Sequence, residues 1–238
     1  MKVYGRHAAL KVFEKRSDDV IRAYITQDGL FEFRELIKHL ADRKLAYHVV
    51  EKEELDTITK ATHHENICLV VKTRPASTLR EIMGGKGRKL ILCLEEVENP
   101  HNLGAILRSC AHYGVTGVIY EARVPVAQSA AAIRTAEGGA ESVPAIHVDR
   151  WNEVFDLASK EKFQVYSTSS HEGKSLFEVK FQKSTLLFFG AEGPGLSKKL
   201  LMKTRELIEI PGTGEVESLN VSNAVVAILT EWYRQGLD

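Results

Sequence analysis

The sequence predicts an α/β protein with two domains, the second of which is built on a parallel sheet. Apolar strand-like segments alternate with amphipathic helix-like segments in both halves of the chain. In the second half the strand-like segments are more apolar, as is typical of parallel strands covered by helices on both faces. Between the halves the periodicity stops at four structure-breaking residues, Pro75, Gly84, Gly85 and Gly87. We therefore expect one domain over residues 1–72, a linker over 73–88 and a second domain over 89–238.

The first domain is predicted to contain three small α/β units. Helices are expected over 7–15, 31–43 and 51–58, and strands over 20–26, 46–50 and 66–71. In the second of these helices, four apolar residues are expected to face the core: Phe31, Leu36, Ile37 and Leu40. Three such units form a compact domain of about 70 residues.

The second domain is predicted to repeat this alternation with stronger strands. Strands are expected over 90–94, 117–120, 143–148, 163–167, 184–189 and 206–210. Helices are expected over 102–113, 128–137, 151–160, 196–203 and 220–235. Ligands of such folds bind where the carboxyl ends of the parallel strands meet, so the loops at that edge are the candidate site.

The charges of the chain balance overall but are unevenly distributed. Residues 1–72 hold 13 Lys and Arg against 12 Asp and Glu (+1), residues 73–89 hold 5 against 1 (+4), and residues 90–238 hold 14 against 19 (−5). The basic segment 73–89 is either a solvated linker or a strip that contacts phosphates. A nucleic-acid partner would have to be bound by such local patches, because the net charge of the chain is zero.

The composition indicates a soluble cytoplasmic protein. No run of about 18 apolar residues is present, and the first residues lack the apolar core of a signal peptide. The three cysteines lie in apolar segments and are expected to be reduced core residues: Cys68, Cys93 and Cys110. His101 and His112 are interpreted as surface or capping residues. Without a cluster of His, Cys and Asp residues, we expect no metal.

The first segment with chemical potential is 98–112, E-N-P-H-N-L-G-A-I-L-R-S-C-A-H, which directly follows a strand. Its apolar residues recur at helical spacing and predict one buried stripe. Asn102 fits the N-cap of this helix, because its side chain can accept hydrogen bonds from first-turn amides. Arg108 lies off the buried stripe, near its edge. By itself the pattern is also that of a capped helix with a surface arginine.

The second segment is 188–197, F-F-G-A-E-G-P-G-L-S, which follows another apolar strand. Gly190, Gly193 and Gly195 permit positive φ and a close approach of a ligand to the backbone. The spacing is not that of a dinucleotide fingerprint. It is not that of a phosphate-binding loop either, because Leu196 stands where a lysine would be required. An ordinary strand-to-helix turn remains the alternative.

The third segment is 208–223, I-E-I-P-G-T-G-E-V-E-S-L-N-V-S-N. Its proline and glycines end a strand, and an amphipathic helix follows. Ser218 and Asn220 stand at the entrance of that helix, where capping is their simplest role. Together with Ser222 and Asn223, they are more polar side chains than a helix cap uses.

These three segments resemble motifs 1, 2 and 3 of the SpoU/TrmH family of RNA ribose 2′-O-methyltransferases. They occur in the order of the family motifs, and the resemblance runs from about residue 88 to the C-terminus. The first 72 residues are similar to the N-terminal substrate-binding domain of family members that act on ribosomal or transfer RNA, a domain that resembles RNA-binding ribosomal proteins. In one respect the chain departs from the family: it has Asn223 where many relatives carry a small residue.

The resemblance implies a methyltransferase domain with a C-terminal trefoil knot, a bound S-adenosylmethionine and a homodimer. The helices of motifs 1 and 3 are expected near the dimer interface. Seven residues are implied to contact the cofactor, mostly through the backbone: Thr168, which follows the predicted strand 163–167, Gly190, Gly193, Gly195, Ile210, Pro211 and Leu219.

The resemblance also implies methyl transfer to a ribose 2′-hydroxyl of transfer or ribosomal RNA. The residues implied to be catalytic are Arg108, Asn102, Glu192, Ser218 and Asn220. Arg108 matches the family arginine proposed as the base. Because a guanidinium with a pKa above about 12 is a poor base, we favour a double role, in which Arg108 binds the target phosphate bidentately and that phosphate helps to take the proton.

Three rival interpretations follow from the same residues. The chain could be a non-catalytic RNA-binding or ribosome-assembly protein, although all three motifs are present. A nucleotide-dependent dehydrogenase would share the α/β alternation, but the sequence lacks the glycine fingerprint and its acidic partner. Methylation of a base is the third interpretation, against which the third motif favours ribose.

Overall fold

In the computed structural model, which describes residues 1–73, 75–191, 193–204 and 206–237, the first domain is a mixed four-stranded sheet with helices. Its elements are β1 (Lys2–Tyr4), α1 (Arg6–Arg16), β2 (Val20–Ile25), α2 (Arg34–Asp42), β3 (Ala46–Val49), α3 (Lys52–Thr59) and β4 (Ile67–Val71). The strand order is β1-β4-β2-β3, in which β2 and β3 are parallel and β4 is antiparallel to both of its neighbours. The predicted small α/β domain is therefore confirmed.

One strand of this domain was missed, and one local expectation is wrong. The strand β1 was not expected, because three residues are too few to show an alternating pattern. Phe31 does not face the core, since α2 begins only at Arg34 and the Phe31 side chain is 80% exposed. Phe33, which is 1% exposed, takes the inward position beside Leu36 and Leu40.

The segment predicted as a linker contains a short helix, α4 (Leu79–Met83). Thr78 and Glu81 form a capping box, in which the Thr78 hydroxyl accepts from the Glu81 amide at 3.2 Å and the Glu81 carboxylate accepts from the Thr78 amide at 2.7 Å. Leu79, Ile82 and Met83 are buried against the second sheet. The T-x-x-E spacing that builds this box is a helix-start signal that lies just before the glycines of the segment.

The second domain is a seven-stranded sheet in which every strand pair is parallel, as predicted. The strands are β5 (Lys89–Glu95), β6 (Gly117–Glu121), β7 (Ala145–His147), β8 (Gln164–Ser169), β9 (Lys174–Ser175), β10 (Ser184–Phe189) and β11 (Glu206–Glu209). The helices are α5 (Pro100–Tyr113), α6 (Ala130–Thr135), α7 (Asn152–Lys160), α8 (Lys198–Lys203) and α9 (Val221–Arg234). The strand order β7-β6-β5-β10-β8-β11-β9 does not by itself define a knot, so the trefoil knot stays a prediction.

Helices cover both faces of this sheet. The burial of β5 explains why its residues 90–94 are all apolar. Leu90, Leu92 and Leu94 pack in the core beneath α5 and α9, whereas Ile91 and Cys93 pack in the core beneath α4, α7 and α8. Successive side chains of a strand point to opposite faces, so the interior of a strand that is buried on both faces is apolar, and the polar residues of β5 stand at its two ends, Lys89 and Glu95.

The three cysteines are buried and unpaired core residues, as predicted. Burial raises the pKa of the Cys68 thiol to about 11, and it also raises the pKa values of Cys93 and Cys110. Among the described residues, no helix combines the length and the apolar character needed to cross a membrane.

Candidate active site

Four neighbouring strands of the second sheet, β5, β10, β8 and β11, end side by side and bring the predicted cofactor loops to one edge. Phe189 of β10 is level with Leu94 of β5, and Phe188 of β10 is level with Ser167 of β8. Thr168 lies within β8 rather than after it, because the strand continues to Ser169. Its hydroxyl donates to the carbonyl of Phe188 at 3.1 Å and so joins two strand ends.

The glycine turn that follows β10 is folded tightly on itself. The Gly195 amide donates to the Ala191 carbonyl at 3.0 Å. A Cβ at position 190 would lie 2.1 Å from the carbonyl carbon of Gly195, so position 190 has no room for a side chain. Gly193 and Gly195 have φ of +88° and +67°, and both face open space. Glu192 lies outside the described residues.

A buried carboxylate anchors the far end of this turn. Glu95, the last residue of β5, is 8% exposed and accepts from both the amide and the hydroxyl of Ser197 at 2.7 Å. Ser197 also caps α8. The sequence reasoning missed Glu95, although a carboxylate at the end of an apolar strand beside the site was the available signal.

The segment between β11 and α9 is a long exposed loop that carries several predicted site residues. Ile210 is half-buried against the core, whereas Pro211 and Ser218 are exposed. Leu219 is 49% exposed, so the loop presents an apolar side chain to solvent. Gly214 has φ of +84°, and a Cβ added there would meet nothing within 4 Å, which leaves that side of its backbone open.

Asn220 joins the third motif to the first. Its Nδ2 donates to Oδ1 of Asn102 at 3.2 Å, while its own Oδ1 caps α9 by accepting from the Ser222 amide at 2.9 Å. The prediction that Asn102 is the N-cap of α5 is wrong. That cap is Asn99, because Pro100 is favoured in the first helical position and starts the helix two residues earlier. Asn102 therefore lies in the first turn, and its amide contacts Asn220.

Arg108 lies further along α5, and the structure does not pair it with these asparagines. Six residues separate it from Asn102, a rise of about 9 Å along a helix. Its guanidinium forms an ion pair of 2.9 Å with Glu137, and its side chain is 59% exposed. The expectation of an accessible arginine is met, but its present partner is a carboxylate of this chain.

The loop residues fit the expected S-adenosylmethionine. Gly193, Gly195 and Gly214 offer accessible backbone groups, and Leu219 offers an exposed apolar surface. A nucleoside with a short polar tail needs this combination of apolar contact and a few polar groups. The described residues contain no group of three or more His, Cys, Asp or Glu side chains that could hold a metal.

Residues 89–230 match the model of the SpoU rRNA Methylase family, and residues 2–76 match the model described as RNA 2′-O ribose methyltransferase substrate binding. The chain belongs to the SpoU rRNA methylase family. The resemblance inferred from the three motifs is thereby confirmed.

Relatives and solved structures agree with membership of the SpoU family. The uncharacterized tRNA/rRNA methyltransferase YfiF of Escherichia coli O157:H7 is 37% identical over 235 residues, which cover 98% of this chain and 68% of YfiF. A second uncharacterized tRNA/rRNA methyltransferase, from Haemophilus influenzae, is 31% identical, and the matched residues cover 98% of this chain and 66% of that protein. The chain thus spans about two thirds of the length of these relatives.

The crystal structure of the SpoU methyltransferase AviRb from Streptomyces viridochromogenes, in complex with AdoMet, has the same fold. It superposes with a TM-score of 0.83 at 23% identity, covering 100% of this chain and 91% of AviRb. The predicted α/β fold of the SpoU chain is confirmed by this likeness.

Proposed function

We propose that this chain transfers a methyl group from S-adenosylmethionine to a ribose 2′-hydroxyl of transfer or ribosomal RNA. Membership of the SpoU family supports the methyl transfer, and the match of residues 2–76 supports an RNA ribose as the acceptor. The observation that carries the proposal is the hydrogen bond between Asn220 and Asn102, which joins two motifs at the edge where the glycine turn lies. The RNA target implies that the protein acts in the cytoplasm.

The division of labour follows the predicted domains. We propose that residues 1–72 bind the RNA substrate, that 73–88 connect the domains and that 89–238 carry the chemistry. When bound, S-adenosylmethionine supplies a methyl group activated by the sulfonium charge. In our proposal, seven residues of the three loops hold it: Thr168, Gly190, Gly193, Gly195, Ile210, Pro211 and Leu219. Glu192, which lies outside the described residues, stays a catalytic residue implied by the resemblance.

The reaction requires positioning more than activation. A carbon–oxygen bond forms to the 2′-oxygen, the carbon–sulfur bond breaks in line with it, and the hydroxyl proton must leave. Correct alignment of the two reactants can contribute up to about 7–11 kcal/mol. We assign Asn102, Ser218 and Asn220 to holding the ribose, because they are hydrogen-bonding side chains at or beside the contact between the two motifs.

Arg108 is proposed to bind the RNA phosphate next to the target ribose. Its exposed guanidinium already forms an ion pair with one carboxylate, and a phosphate presents the same kind of oxygen pair. The phosphate would replace Glu137, and its oxygen would accept the hydroxyl proton that arginine itself is too basic to take.

We further propose a homodimer through the outer side of α9 and the end of α5. Val226 and Tyr233 of α9 are 38% and 46% exposed. Tyr113 of α5 contacts the Tyr233 ring with centroids 5.8 Å apart and hydrogen-bonds Thr230 at 2.8 Å, so the aromatic side chains are held in place. Exposed apolar side chains in a fixed arrangement are typical of an interface.

Three experiments test the function. Calorimetry should detect binding of S-adenosylmethionine, and no binding at millimolar concentration would favour a non-catalytic RNA-binding protein. A gene deletion followed by mapping of 2′-O-methyl groups in total transfer and ribosomal RNA should reveal the loss of one site. Nuclease digestion and mass spectrometry of the RNA would overturn the ribose assignment if the lost methyl group were on a base.

A further inference from the structure

One short segment lies between the two domains and touches Arg108. Residues 136–142, here called the coupling segment, follow α6 and pack between α1 of the first domain and α5 of the second. A Cβ at Gly138 would lie 2.9 Å from Cβ of Lys11 in α1. On the other side, a Cβ at Gly139 would lie 2.9 Å from both N and Cα of Arg108. Backbone of the coupling segment therefore contacts both helices directly.

A buried ion pair fixes the coupling segment to the first domain. Nε and Nη2 of Arg16, at the end of α1, donate to the two carboxylate oxygens of Glu141 at 2.8 and 2.6 Å. The two side chains are 5% and 7% exposed. Nη1 of Arg16 also donates to the Lys72 carbonyl at 3.0 Å. A bidentate pair excluded from water fixes the orientation of its partners as well as their distance.

An open groove of about 230 Å³ lies beside this ion pair and is lined by Arg16 and Glu141 together with residues of both domains, among them Met1 and Ile133. Ile133 also packs in the apolar core of the first domain, and the ion pair adds a directional contact beside it. We therefore assign to the ion pair the task of setting how the domains meet there.

At its other end the coupling segment holds the Arg108 guanidinium. The Glu137 carboxylate pairs with Arg108 at 2.9 Å, and the Glu137 backbone has φ of +44°, a conformation that non-glycine residues rarely adopt. Hydrogen bonds along the segment, from Gly139 N to Ala136 O at 2.8 Å and from Glu141 N to Gly138 O at 3.1 Å, join the two ends into one short rigid unit.

We propose that docking of the first domain positions Arg108 through the coupling segment, with Arg16 and Glu141 as positioning residues for methyl transfer. This inference rests on the phosphate-binding role proposed for Arg108. In this scheme Arg16 contacts neither the reacting ribose of the RNA nor the cofactor loops. Its ion pair with Glu141 fixes the position of the coupling segment. The coupling segment in turn fixes the position of the Arg108 backbone and of Glu137, the ion-pair partner of Arg108. RNA bound by the first domain therefore meets a correctly placed guanidinium.

The test compares Glu141→Gln and Arg16→Lys with an exposed control. Glu141→Gln keeps the shape of the side chain. Arg16→Lys keeps the buried positive charge but cannot form two parallel hydrogen bonds. The test can be carried out if either of the two variants folds. Asp18→Asn is the matched control, because Asp18 forms an exposed ion pair with Arg43 within the first domain. At saturating RNA and S-adenosylmethionine, we expect kcat to fall about tenfold in the two test variants and to remain unchanged in the control.

A double-mutant cycle separates positioning from general damage. If Glu141 acts through Arg108, the effect of Glu141→Gln on kcat should shrink below about twofold in the Arg108→Lys background, while the Kd for S-adenosylmethionine stays at its wild-type value. An equal loss of kcat in both backgrounds, or no loss in either, would overturn the inference.

A second measurement does not depend on activity. The Nε–Hε resonance of Arg108, assigned with Arg108→Lys, should shift in the ligand-free Glu141→Gln and Arg16→Lys proteins and stay in place in Asp18→Asn. An unmoved resonance in a folded test variant contradicts the coupling even if the wild-type enzyme is active. Absence of methyl transfer by the wild type would instead contradict the proposed function, and the resonance would then decide the coupling alone.

Discussion

Asn102 and Asn220, which are 118 positions apart in the chain, meet through a hydrogen bond of 3.2 Å. Each belongs to a helix that another interaction already caps, since Asn99 caps α5 and the Asn220 Oδ1 caps α9. The contact between the two asparagines is therefore not needed to end either helix. It joins the first turn of α5 to the N-cap of α9 beside the proposed ribose site.

Asn102→Ala should lower kcat/KM with little effect on stability. The substitution leaves both caps intact but removes one hydrogen bond of the Asn220 amide, a loss of about 0.5–1.5 kcal/mol, or about two- to tenfold in rate. Asn99→Ala is the control with the opposite pattern, because the loss of its cap costs about 1 kcal/mol of stability and leaves the Asn102 contact. Steady-state kinetics and thermal melts of both variants check this. A stability loss in Asn102→Ala without a rate loss would contradict it.

Arg108→Lys should impair turnover but not cofactor binding. Lysine keeps the charge, yet it cannot grip a phosphate through two parallel hydrogen bonds. Misplacement of the reacting phosphate and ribose by about 1 Å is sufficient to lower the rate about 100-fold. Single-turnover kinetics at saturating RNA and calorimetry with S-adenosylmethionine separate the two effects. Full turnover by this variant would rule out the role of Arg108.

Gly190→Ala should abolish cofactor binding. The new Cβ would lie 2.1 Å from backbone of Gly195, which cannot move without opening the turn. Gly117→Ala provides a control for crowding, because the three atoms nearest to a Cβ there all belong to the Ile82 side chain, at 3.0–3.3 Å, and not to backbone. Calorimetry should find no binding in the first variant and binding near the wild-type Kd in the second. Wild-type affinity in Gly190→Ala would show that the turn does not form the cofactor site.

Much of the fold could be predicted from the sequence because its signals are local and repeated. The strand over 184–189 and the helix over 151–160 follow from periodicity, and the structure gives them within one residue. Strands that are too short to repeat an alternating pattern were missed. β1 has three residues, and β9 has two.

The candidate site was only partly predictable, since its contacts join distant parts of the chain. Asn102 and Asn220 could be selected as polar residues at helix starts, but their hydrogen bond depends on how two helices pack. The partner of Arg108 was not predicted, because Glu137 reaches it from a loop whose backbone has a positive φ. Glu95 was missed for a related reason: its partner Ser197 is 102 positions away.

Val226→Glu should dissociate the proposed dimer. Val226 lies on the outer side of α9 and is 38% exposed, so a carboxylate placed in a buried interface there would lose its water without a partner. Met202→Glu is the control, because Met202 is an 81% exposed apolar residue on a different helix, α8. Light scattering after size-exclusion chromatography should give the mass of two chains for wild type and control, and of one chain for Val226→Glu. One-chain mass for the wild type would refute the dimer.

Glu231→Gln should lower the melting temperature at neutral pH but not in strong acid. Hydrogen bonds from Arg234, and to a smaller extent from Gln235, lower the pKa of the Glu231 carboxyl to about 2. A pKa that folding lowers means that the carboxylate stabilises the protein fully above the ordinary value near 4.5 and that this stabilisation is lost as pH falls to about 2. Calorimetric melts from pH 7 to pH 2 should show the difference between variant and wild type narrowing below pH 4.5. A difference that stayed constant across this range would mean that the glutamate contributes through packing and not through its charge.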